Sequence, residues 1–96
     1  MKFTAEALAQ ISALRRHYHA KGRPEAARNL TKALRQAMQQ INAGEGLPAP
    51  RSYPELAQPG RAWTHAGRYW IRYTTSTPAI ILAVFYDEAD IPGRVS

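Results

Sequence analysis

The feature that most constrains this chain is a change of apolar period near its middle. Before Gly44 the apolar residues recur at steps of three and four, and after Gly60 they alternate. Ala7, Ile11, Leu14 and Tyr18, with Leu8 beside them, form one stripe of a helix of about four turns. Thr4 suits its N-cap, and Glu6 lies in the first turn, where a carboxylate meets the positive end of the helix dipole. Gly22 ends this helix and Pro24 opens the next, where a missing N–H costs nothing. Ala27, Leu30, Leu34, Ala37 and Ile41 carry the second stripe, which Gly44 closes. So short a link makes the pair an antiparallel hairpin over about residues 4–43.

Residues 45–60 hold four prolines and read as a loop, 44–60, within one domain spanning 1–96. The alternation that follows gives a β-meander over about residues 61–87: "RAWTH", then "RYWIRYTT", then "AIILAVFY", which is apolar on both faces and therefore well covered. Tyr69, Ile71 and Tyr73 are expected to face the helices, leaving Arg68, Trp70 and Arg72 on an exposed face for a partner to cover. Residues 1–3 are too few to decide for or against an edge strand. The expected fold is α+β, an N-terminal antiparallel helical hairpin packed on a small C-terminal antiparallel sheet.

The formal charge of +6 is unevenly spread: residues 1–54 carry nine Lys/Arg against Glu6, Glu25 and Glu45. A basic half favours an acidic partner, nucleic acid or polypeptide. There are no cysteines, and no apolar run approaches a membrane span. The opening "MKFTAEALAQ" has no secretory signal pattern, so a cytoplasmic protein is expected.

Few residues point to chemistry. Asp87-Glu88-Ala89-Asp90 spells D-E-A-D after an apolar strand, as in a helicase, but no Gly-rich phosphate loop accompanies it and the chain is too short for the parallel sheet. His17 and His19 are two apart on a helix and do not share a face, so they make no chelating pair. No nucleophile elbow or metalloprotease motif is present, and no metal site or cofactor is implied. What remains is Arg61, Arg68 and Arg72 interleaved with Trp63, Tyr69, Trp70 and Tyr73. Such a pattern suits phosphate gripping and base stacking, or a protein contact.

Three segments, "GRPEAARNLTKALRQAM", "GRYWIRYTT" and "ILAVFYDEAD", in that order, resemble the RelE/ParE superfamily of toxins from type II toxin–antitoxin operons, often called plasmid-stabilisation proteins. The last resembles the family's final strand, with Tyr86 where histidine is frequent, Glu88 where arginine is frequent and Asp90 where aspartate is frequent. The resemblance implies a cognate acidic antitoxin, a toxin–antitoxin hetero-oligomer and no cofactor or membrane.

It also implies one of two targets. The RNA-cleaving branch uses sheet cations with an aromatic or histidine acid/base, which here means Arg61, Arg68, Arg72 and Tyr86. Yet Trp70 stands where that branch has its strand arginine, and Asp87, Glu88 and Asp90 are acids where a phosphate wants cations. The departures favour the ParE-like branch, non-catalytic inhibitors of DNA gyrase. Target or antitoxin contact would then fall to Arg61, Arg68, Trp70, Arg72, Tyr86, Asp87, Glu88 and Asp90. The alternatives are a RelE-like ribosome-dependent mRNA endonuclease and a non-toxic basic interaction module.

Overall fold

A computed structural model describes residues 2–87; Glu88 and Asp90, two of the three acids of the tetrad, lie outside the described residues. Strand β1 (Lys2–Phe3) leads into helices α1 (Ala5–Ala20) and α2 (Pro24–Asn42). A loop with one 3-10 turn (Pro54–Leu56) leads to β2 (Arg61–Ala66), β3 (Tyr69–Thr74) and β4 (Ile80–Tyr86).

The helix ends follow their local chemistry. The Thr4 hydroxyl accepts from the Ala7 N–H at 3.1 Å and donates to the Leu82 carbonyl at 3.1 Å, so one cap fastens α1 to β4. Past α1, the Gly22 N–H donates to the His19 carbonyl and the Arg23 N–H to the Tyr18 carbonyl. That pair of bonds is a Schellman motif, and it needs the positive φ of 65° that Gly22 supplies. Gly44 and Glu45 repeat it on the Ile41 and Gln40 carbonyls.

The strands pair in the order β1-β4-β3-β2. The meander β2–β3–β4 is antiparallel, as its alternation indicates, and β2 and β3 meet through the two-residue turn Gly67-Arg68. β1 adds an edge that pairs parallel to β4, Lys2 with Ile80 and Phe3 with Ile81, so the sheet is mixed rather than purely antiparallel. Where β1 stops, the Gln10 side chain of α1 accepts from the Val84 N–H at 2.7 Å and occupies part of that edge.

The main core lies between helices and sheet: Ala7, Ile11 and Tyr18 from α1, Leu30, Ala33 and Ala37 from α2, and Tyr69, Ile71 and Tyr73 from β3. Each large apolar side chain so buried contributes about 1.5–3 kcal/mol relative to exposure. Leu8 departs from its expected stripe. It is 52% exposed, on the solvent side of α1.

The second sheet face is not open, contrary to expectation. Trp63, Ala83 and Phe85 form a smaller core there, covered by Tyr53 and Leu56 of the proline-rich loop and flanked by Trp70. The loop is tied at its start, where Leu47 and the fully buried Trp63 exchange two backbone bonds of 2.7 Å. Glycine is required near that tie: a Cβ on Gly46 would overlap the Tyr73 phenol.

Candidate functional site

Strand parity divides the residues singled out in the sequence between two surfaces. Cross-strand pairing sets Trp63 opposite Arg72, His65 opposite Trp70 and Trp70 opposite Phe85, all on the face away from the helices. Arg61 keeps that parity. Tyr86 pairs with Tyr69 and packs against the main core, so it belongs to the helix side. The four ribonuclease candidates therefore do not converge. Arg61 and Arg72 lie on one face, while Arg68 and Tyr86 meet on the other, the Arg68 Nη1 donating to the Tyr86 hydroxyl at 3.3 Å.

On the loop-covered face, Arg72 is half-buried, donates from Nη2 to the Gln58 amide oxygen and sits 5.9 Å from the centre of the Trp63 ring. Burial first, and then the nearby Arg61 charge, hold its guanidinium below the ordinary arginine value. Toward the β2–β3 turn, His65 packs on Trp70 with ring centres 4.8 Å apart, and its Nε2 lies 3.4 Å from an Asp87 carboxylate oxygen. On sequence His65 reads only as a structural or solvated histidine, and Gln58 does not stand out. A lone histidine and a loop glutamine give no periodic signal.

On the helix side, a groove of about 840 Å³ runs between the hairpin and the β2–β3 turn. Leu14, Ala26, Ala33 and Tyr69 supply apolar lining, and His17, Arg23, Lys32 and Arg68 its basic groups, with no carboxylate among the described lining residues. Inside it the Tyr18 and Tyr69 hydroxyls bond to each other, and the Tyr69 and Tyr86 rings meet edge-on at 5.8 Å. Burial, and then the Tyr18 bond, push the Tyr69 phenol well above its ordinary value, so it stays neutral and bonded. Arg23 pairs with Glu25 at 3.4 Å at the groove's rim. No three histidine, aspartate or glutamate side chains among the described residues gather as metal ligands.

A family model described as the ParE toxin of the type II toxin–antitoxin system, parDE, matches residues 1–91. The chain belongs to the ParE toxin family. Neither the curated proteins nor the solved structures yield a match to it. Membership in the family implies an antitoxin partner. No helix among the described residues is long and apolar enough to cross a membrane.

Proposed function

We propose that this ParE-family toxin is a non-catalytic inhibitor of DNA gyrase that acts in the cytoplasm and is neutralised by a cognate acidic antitoxin in a hetero-oligomer. The observation that carries this reading is the separation of Tyr86 from Arg61 and Arg72 by the thickness of the sheet. RNA cleavage needs an acid/base within about 3 Å of the proton it moves, beside cations that hold the scissile phosphate. Arg61, Arg72 and Tyr86 do not share a face on which to do this, whereas an inhibitor needs only a complementary surface.

One observation favours the RNA-cleaving alternative: the Arg68–Tyr86 pair sets a phenol beside a guanidinium in a basic groove. The experiment that separates the readings is a translating extract supplied with purified protein. The mRNA is expected to remain intact, and Tyr86→Phe and Arg61→Ala to leave it so. Ribosome-dependent cleavage that drops about 10²–10⁴-fold in Tyr86→Phe would make the protein an enzyme. Induction of the gene alone should stop bacterial growth, and co-expression of the antitoxin should restore it. Normal growth with folded toxin present would leave a plain interaction module.

A further inference from the structure

Two buried donors at the centre of the loop-covered face lack an acceptor among the described residues: the Trp63 indole Nε1 and the Arg72 Nε. They belong to directly opposed residues of β2 and β3. Trp63 is fully buried, and a donor left unpaired in such a place costs about 1–3 kcal/mol. Native structures leave few such groups, and two on one cross-strand pair require an explanation.

The surroundings say what is missing. Arg72 has one neutral side-chain partner, Gln58, and a second cation, Arg61, close enough to disfavour its charge more than the Glu6 carboxylate favours it. Asp87, on the same side, is engaged by His65 toward the β2–β3 turn. The cover over the donors is fastened mainly by side chains. The backbone bonds described within residues 48–59 are local, such as Tyr53 to Pro50 and Leu56 to Tyr53. The cover is held by the burial of Pro50, by the packing of Tyr53 and Leu56 on the sheet, by the Gln58 side-chain bond to Arg72 and by the Arg61 N–H bond to the Gln58 carbonyl.

We propose that Trp63 and Arg72 form a carboxylate-binding site, filled when an aspartate or glutamate of a polypeptide partner enters beside Gln58 and displaces it from the guanidinium. A carboxylate has two oxygens that can accept from such N–H donors, and an ionised acceptor makes the stronger bond to arginine. A phosphate dianion has more oxygens to satisfy and a larger hydration shell to lose in a site walled by Tyr53, Leu56 and Phe85. The inference rests on reading this protein as one that works by protein contact. Its test uses neither gyrase nor antitoxin, so the two can fail separately.

The test is an NMR titration of the ¹⁵N-labelled full chain with glutarate, and separately with inorganic phosphate, at ionic strength fixed with chloride. Trp70→Phe leaves a single indole N–H signal and so assigns that of Trp63. Glutarate is expected to move the Trp63 indole and Arg72 Nε–H signals together to saturation. Gln58→Ala, a surface change, should tighten binding by removing the competing acceptor. Arg72→Gln and Arg72→Lys should each weaken it at least roughly tenfold, the equivalent of 1.4 kcal/mol. Because Gln58→Ala leaves the core intact, it keeps the test valid if an Arg72 variant misfolds. Tighter binding of phosphate than of glutarate, or drift no different from chloride, would overturn the proposal. So would a long-lived water on the Trp63 indole with no anion response.

Discussion

At the scale of single residues, the Tyr18–Tyr69 hydroxyl pair is the most informative contact. Both phenols are buried, so each depends on the other for its hydrogen bond. Tyr69→Phe strands the Tyr18 hydroxyl and should cost about 1–3 kcal/mol, read from urea unfolding. Tyr18→Phe combined with Tyr69→Phe removes both partners and should cost less than the sum of the single changes; simple additivity would show the pair to be uncoupled. The pair also sets a pH dependence. The folded-state value of Tyr69 is raised, so its contribution is fully present below the ordinary phenol value of about 10 and is lost as pH rises above it. Above that point the unfolded chain releases a proton that the folded chain retains. The melting temperature should therefore fall above about pH 10, and less steeply in Tyr69→Phe. Tyr73, shifted the same way by burial, keeps some of the slope. An unchanged slope would mean that Tyr69 does not carry it.

At the scale of elements, most of the fold was legible. Both helices follow from a period of three and four bounded by Thr4, Gly22, Pro24 and Gly44, signals that are strictly local. The meander follows from period-two alternation, and Tyr69, Ile71 and Tyr73 face the helices as that alternation requires. β1 was not legible, because two residues have no period and its pairing partner is remote in sequence. The cover over Trp63 was not legible either: a proline-rich segment shows where the chain is irregular but not where it lies. The expected open face is for that reason half-closed. Thr4 is more than a helix cap, since its hydroxyl also reaches the Leu82 carbonyl. Thr4→Ala should cost about 1–2 kcal/mol, toward the upper end for a cap. Thr4→Ser, which retains both bonds, should recover most of it in thermal melts. Equal losses in both variants would assign the effect to the methyl group instead.

At the scale of the whole molecule, the split of the candidate residues matters most. Arg61, Arg68, Arg72 and Tyr86 are close in the meander's sequence, yet parity sends Tyr86 to the helix side and Arg61 and Arg72 to the other. Parity alone was readable, but joining it across strands needs the register, which no single strand carries. What results is a basic groove on one side, an arginine–tryptophan surface on the other, and no place where all four ribonuclease candidates meet. A ParE-family toxin built this way should act by binding. The most direct measurement is a supercoiling assay with purified gyrase, relaxed plasmid and ATP. The toxin is expected to block supercoiling in a dose-dependent way, the antitoxin to reverse the block, and mRNA in a parallel translating extract to stay whole. Full supercoiling at saturating folded toxin, with cleaved mRNA in the parallel extract, would contradict that expectation.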